Sequence, residues 1–214
     1  SDINALLPVT REYQVLENGD VVDIRGAECL IRDRAGEFAV RAVHTSTQSG
    51  DAAELGDYRH FMQKEIHEQP RAVADTLEGR LLGDQVLEES FGSRAQEIFD
   101  ATRQVQIIAC GTSYHAGLVA QHWLEYVGIP CEVEVASEYR YRRHPAREGT
   151  LVVTISQSGE TADTLAALEE AVRQGIAGSL VICNVPESSL VRESDLVFMT
   201  HCGPEVGVAS TKTF

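Results

Sequence analysis

Ile155-Ser156-Gln157-Ser158-Gly159-Glu160-Thr161-Ala162-Asp163-Thr164, written ISQSGETADT, joins an apolar run to an amphipathic one through a corner crowded with hydroxyls. Upstream, residues 150–156 have the short apolar pattern of a buried strand; downstream, Leu165, Leu168 and Val172 recur at helical spacing. The same unit occurs earlier. Val105 to Cys110 is an apolar run, Gly111-Thr112-Ser113 a corner, and Ala116, Val119, Ala120, Trp123 and Leu124 mark a helix. Further strands are predicted at 131–135, 179–184 and 196–200, with a short helix near 188–194. Alternating strands and helices imply right-handed crossovers and a parallel sheet, an α/β fold.

The N-terminal third has a different rhythm. Glu12 to Leu16 and Val21 to Ile24 flank Glu17-Asn18-Gly19-Asp20, and Asn-Gly accepts the positive φ of a tight turn, so a hairpin is predicted. Cys29 to Ile31 and Phe38 to Val40 bracket Asp33-Arg34-Ala35-Gly36 in the same way, which extends the pair into a meander. Residues 46–57 are polar and aperiodic and read as a linker. Helical spacing begins at Tyr58 with Phe61, Met62, Glu65 and Ile66; Pro70 is expected to end that helix and to suit the start of another. Ala95, Ile98 and Phe99 share one face of a further helix, so residues 58–103 form a helical lead-in to the α/β part at 104–214.

The chain has 214 residues, 43% of them hydrophobic, enough to bury a core in one or two domains. Its 33 acidic and 18 basic residues give a formal net charge of −15, which disfavours nonspecific binding to nucleic acid or anionic membranes. No apolar run spans a bilayer and no secretory leader is visible, so a soluble, cytoplasmic protein is expected. Cys29, Cys110, Cys131, Cys183 and Cys202 are scattered and form no C-x-x-C pair, which argues against disulfides and a zinc site. His60 and His67, like His115 and His122, are seven apart, about 10 Å along a helix and too far to share a metal comfortably. No metal and no cofactor is predicted. Ser1 is no initiator methionine, and Thr211 to Phe214 reads as the start of a helix, so the chain has the look of a piece cut from a longer protein.

In an open parallel sheet, ligands bind beyond the carboxyl ends of the strands, where helix N-termini present unpaired N–H groups. Two such corners carry small donors, Cys110-Gly111-Thr112-Ser113 and Ser156 to Thr161, and Val206 to Thr211 is a third candidate. Glycine admits close approach, hydroxyls donate without bulk, and the helix dipole adds about half a positive charge, which together suit a phosphate. Such a cradle needs no lysines and is compatible with an acidic chain. Helix capping by Ser158 or Thr161 is the competing explanation for those two hydroxyls. Neither corner matches G-x-x-x-x-G-K-[ST] or G-x-G-x-x-G, so a small phosphorylated molecule fits better than a nucleotide. Cys110 could be a nucleophile at a helix start, but no histidine is fixed beside it, which favours contact through its backbone. The basic run Tyr139 to Arg147 reads as a surface turn, a subunit contact or an electrostatic aid to the phosphate site rather than a nucleic-acid surface.

Taken together, ACGTSYHAG at 109–117, SEYRYR at 137–142, SQSGETADT at 156–164, CNVPESSLVRESD at 183–195 and EVGVASTKTF at 205–214 resemble the first sugar-isomerase (SIS) domain of the glutamine–fructose-6-phosphate aminotransferases. HFMQKEIHEQP at 60–70 is similar to the segment leading into that family's isomerase half, and residues 1–45 to the end of its glutaminase domain. The resemblance implies a parallel-sheet sandwich of SIS, flavodoxin-like type at 104–214, preceded by a β-rich glutaminase end. It implies an enzyme that hydrolyses glutamine, passes ammonia internally, and converts fructose 6-phosphate to glucosamine 6-phosphate. Carried over by motif, Ser113, Ser156, Gln157, Ser158 and Thr161 bind the sugar phosphate, and Cys110, Gly111, Thr112, Val208 and Ser210 line the sugar site.

The chain departs from the family pattern at the residues that react. Ser1 is not the family's N-terminal cysteine nucleophile, and the family's Schiff-base lysine and proton-transfer residues belong to the second SIS domain and C-terminal tail. Lys212 is not expected to replace that lysine. The segment by itself is therefore expected to be inactive, with the glutaminase and second SIS domains as its missing partners and a homo-oligomer implied by the family. The rivals are a phosphosugar-sensing regulatory SIS module and a stand-alone sugar-phosphate isomerase. A regulator would place a DNA-reading helical domain before the sheet, where this chain has a β-hairpin and an acidic linker.

Overall fold

Alternating polar and apolar residues near the N-terminus form five short strands in the computed structural model, which describes residues 9–26, 28–46, 55–144 and 147–214. These strands belong to the first of two units, Ser1–Ala52. They are β1 (Glu12–Gln14), β2 (Val21–Arg25), β3 (Glu28–Arg32), β4 (Phe38–Ala39) and β5 (Val43–Thr45). β2, β3 and β4 form an antiparallel meander that contains the expected pairing of residues 29–31 with 38–40. The hairpin expected across Asn18-Gly19 is not formed. Asp20 N–H donates to Glu17 O and Gly19 has φ +98°, so the turn exists, but β1 pairs with β5 and β2 with β3. Arg41 holds the turn through two 2.8 Å bonds to the Asp20 carboxylate. That clamp, rather than a ladder between β1 and β2, fixes the corner. Residues 47–54 of the expected linker lie outside the described residues.

The second unit, Ala53–Phe214, begins with α1 (Phe61–Leu77), which runs straight through Pro70. Proline inside a helix costs about 3 kcal/mol, yet tertiary contacts hold both sides of the break. Glu65, Glu68 and Gln69 bind the 206–212 segment before it, and Ala72 is buried after it. The helix phase also differs from expectation: Glu65 is 2% exposed, whereas Met62 and Ile66 are 41% and 46% exposed. A hairpin of β6 (Leu81–Leu82) and β7 (Gln85–Val86), a 3-10 turn at Glu88–Phe91 and α2 (Ala95–Ala101) lead to the sheet.

Beyond α2 come β8 (Gln104–Ala109), α3 (Gly111–Tyr126), β9 (Cys131–Val135), α4 (Ala136–Tyr139), β10 (Thr150–Ser156), α5 (Ala162–Arg173), β11 (Gly178–Cys183), α6 (Ser189–Glu193) and β12 (Leu196–Met199). The sheet order is β12-β11-β10-β8-β9, parallel throughout. Period-two alternation sorts its side chains onto two cores. Val105, Ile107, Ala109, Leu151, Val153 and Ile155 pack with Ala95 and Ile98 of α2 and with α3. Ile108, Val152, Val181 and Cys183 pack on the other face with α4, α5 and Leu190 of α6. The connection from β8 moves outward to β9, and that from β10 moves outward to β11, so the strand order reverses between β8 and β10. The helix expected at 211–214 is not formed; residues 200–214 run as irregular chain. No helix among the described residues is long and apolar enough to cross a membrane.

Candidate functional site

A crevice opens where the strand order of an α/β sheet reverses, because the two helices leave on opposite faces. Here α3 and α5 diverge from the carboxyl ends of β8 and β10, and a cleft of about 440 Å³ lies between them. All ten singled-out residues line it: Cys110, Gly111, Thr112 and Ser113 from the first corner, Ser156, Gln157, Ser158 and Thr161 from the second, and Val208 and Ser210 from the third. Ile155 and Ala209 also line it. Their apolar or small side chains gave no signal in the sequence. The third segment is not a strand-to-helix corner but a wall of irregular chain laid beside the other two.

The first corner is the first turn of α3 itself. Cys110 occupies its N-cap in extended conformation, Gly111 follows with φ +59°, and Ser113 is buried. In the second corner the buried Ser156 Oγ accepts the Gly159 N–H at 3.0 Å and meets Thr161 Oγ1 at 3.3 Å. Ser158 Oγ accepts the Glu160 N–H at 3.2 Å. Capping does not account for these hydroxyls: Thr161 is the N-cap of α5 yet makes no side-chain bond to its amides. Ser158 keeps its own O–H to donate, and between Ser156 and Thr161 one O–H is spent on the other while the second stays available.

Gly159 has a different role from the one its place in the corner suggests. It does not line the cleft; a Cβ there would collide with Ser188 Oγ and lie 2.9 Å from Cys183 Sγ. Glycine is required because the corner is pressed against α6. Gly111 is the opposite case, since nothing lies within 4 Å of its Cβ direction.

Among the described residues, no lysine, arginine or histidine lines the cleft. Its donors are hydroxyls and the amides of two helix starts. The basic run is spent elsewhere: Arg140 pairs with Asp163, Arg142 with Glu134 and Arg147 with Glu132, while Tyr139 is buried against His144. Pro145 and Ala146 of that run lie outside the described residues. Lys212 is buried and bonded to Glu68 at 2.7 Å. All five cysteines are free thiols; burial pushes Cys131 up to about 11 and also raises Cys183. A second cavity, about 390 Å³, opens among the C-terminal ends of α3 and α5 and includes Glu125 and Glu132. Arg147 and His144 also line it, with Arg147 paired to Glu132, and among the described residues no helix N-terminus or hydroxyl-rich corner opens into it.

Residues 97–214 match the family model of the SIS domain. Over its whole length the chain is 54% identical to glutamine–fructose-6-phosphate aminotransferase [isomerizing] from Aliivibrio fischeri and 57% identical to that from Pseudomonas putida. It spans about a third of those relatives, 35% of each. Among solved structures, it is similar to the C-terminal domain of glucosamine-fructose-6-phosphate aminotransferase from Francisella tularensis, with 53% identity, a TM-score of 0.72, and coverage of 76% of this chain and 46% of that one. Tagatose-6-phosphate ketose/aldose isomerase from Escherichia coli, 16% identical over 76% of this chain and 46% of its own with a TM-score of 0.59, shares the fold.

Proposed function

Because the chain belongs to the SIS domain family, we propose that its cleft holds the phosphorylated ketose of an aminotransferase that makes glucosamine 6-phosphate from fructose 6-phosphate and glutamine. The observation that carries this reading is the meeting of three separate segments at the switch between β8 and β10, two of them corners rich in small donors and none supplying a basic side chain. Ser113, Ser156, Gln157, Ser158 and Thr161 bind the phosphate. Cys110, Gly111, Thr112, Val208 and Ser210 face the sugar. The names of its relatives and its 35% share of their length support a parent enzyme whose reacting groups belong to the rest of the protein.

Lys212 supports that division, since a buried amine tied to the partly exposed Glu68 is not free to attack a carbonyl. Exposed apolar residues on α3, including Trp123 at 70% and Tyr126 at 91%, supply a surface that the remaining domains or a second copy would cover.

The test is Ser156→Ala with Ser158→Ala in the full-length protein, titrated calorimetrically with fructose 6-phosphate. A hydrogen bond to a charged group contributes about 1.5 kcal/mol or more, so the pair is expected to weaken binding about a hundredfold. Unchanged affinity would remove the phosphate from this corner.

A further inference from the structure

The wall formed by Val208, Ala209 and Ser210 lacks regular structure, and Val208 and Ala209 are exposed, so packing of their own side chains does not place them. Two carboxylates fasten the chain on either side of these residues. Before them, Glu65 reaches from the middle of α1: Oε1 accepts the Val206 N–H at 2.6 Å, and both oxygens accept the Gly207 N–H at 3.2 Å. Gly207 is part of the fit, because a Cβ there would lie 2.5 Å from Glu65 Oε2. After them, Glu205 Oε2 accepts the Ser210 and Thr213 hydroxyls at 2.6 and 2.7 Å, and Oε1 accepts the Thr211 and Lys212 amides at 2.7 and 3.0 Å. Neither carboxylate lines the cleft.

We infer that Glu65 and Glu205 are positioning residues for sugar recognition: they hold the Val208–Ser210 wall against the sugar without touching the ligand. This rests on the phosphosugar reading above and makes α1, read from sequence as a lead-in, part of the site. Charge-assisted bonds of this kind are stronger than neutral ones, which suits them to pinning an exposed loop. The phosphate corners stand on α3 and α5 and do not depend on either carboxylate.

That separation sets the experiment. In the full-length protein, Glu65→Gln keeps the shape but turns one acceptor into a donor facing the Gly207 amide. Gly207→Ala reaches the same contact from the loop and leaves both carboxylates intact, so it serves if Glu65→Gln does not fold. Calorimetry with fructose 6-phosphate and with inorganic phosphate is expected to show about tenfold weaker sugar-phosphate binding and phosphate binding within about twofold of wild type. Sugar-phosphate affinity unchanged, or both ligands weakened alike, overturns the inference, the second because a merely structural tie would act on the whole unit. Ser156→Ala with Ser158→Ala, run alongside, should weaken both ligands; if it weakens neither, the phosphosugar reading fails whatever Glu65 does.

Discussion

Gly159→Ala isolates the fit between the second corner and α6. Gly159 has φ +65°, and an alanine in that left-handed region costs about 1–2 kcal/mol. Its Cβ would also lie 2.5 Å from Ser188 Cβ and 2.9 Å from Cys183 Sγ, in a buried place where overpacking costs about 1–3 kcal/mol. Together these predict about 2–5 kcal/mol. Gly111→Ala carries the same kind of conformational cost, at φ +59°, with open space around its Cβ, so about 1–2 kcal/mol is expected. Urea unfolding followed by far-ultraviolet circular dichroism compares them, and the Gly159 variant should unfold at a midpoint lower by about 1 M or more. Ser188→Gly removes the nearest atoms; Ser188 makes no side-chain cap bond to α6, but it is buried and bonded to Cys183 Sγ at 3.5 Å, so its own cost is measured as the second single variant of the cycle. The double variant should recover about 1–2 kcal/mol as coupling. Equal losses for the two glycines, or no recovery with Ser188→Gly, would show that contact with α6 is not what demands glycine.

Thiol labelling at about pH 8 should find two fast cysteines, the exposed Cys29 and half-buried Cys110, with Cys131, Cys183 and Cys202 protected until unfolding; saturating sugar phosphate should slow Cys110 alone, and a third fast thiol would contradict the burial. Glu205 should shape the acid limb of stability. Burial pushes its carboxyl up, but the Lys212 amide, the Ser210 and Thr213 hydroxyls and the Thr211 amide outweigh that and hold it below its ordinary 4.5. A depressed folded value means that its stabilisation is full above about pH 5 and is lost as pH falls through the folded value. Glu205→Gln should therefore lower stability at neutral pH and flatten the decline below about pH 4.5; an unchanged acid limb would refute this.

The α/β unit is legible because its central strands β10 and β11 are buried on both faces and stand out as short, largely apolar runs. The apolar run at 150–156 is the span that β10 occupies. The two corners that line the cleft are legible for a related reason, since their hydroxyls and glycines fall where an apolar run gives way to helical spacing. What failed depended on contacts far away in sequence. β1 has a good turn after it, but its partner is β5, and no local signal reveals which edge a short strand will find. Pro70 reads as a helix stop until the bonds of Glu65, Glu68 and Gln69 to residues near 206–212 are known. Glu65 falls at helical spacing with Phe61, Met62 and Ile66, but its burial rests on the Val206 and Gly207 amides, which a sequence does not mark as acceptor-seeking. The segment at 211–214 reads as a helix start, yet Glu205 takes two of its amides and one of its hydroxyls, and the chain there is irregular.

Glu65 and the amides it binds are 141 and 142 positions apart. Closing so long a loop costs little more than closing one half its size, since the penalty rises by only about 0.6 kcal/mol per doubling. The consequence is one of timing. During synthesis the N-terminal parts of a chain fold first, and α1 must wait for nearly the whole second unit before its buried carboxylate meets its donors. Until then Glu65 stays hydrated. The corners at 110–113 and 156–161 are built on the sheet, whereas the third wall of the cleft is placed only once residues 206–213 reach the carboxylates of Glu65 and Glu205.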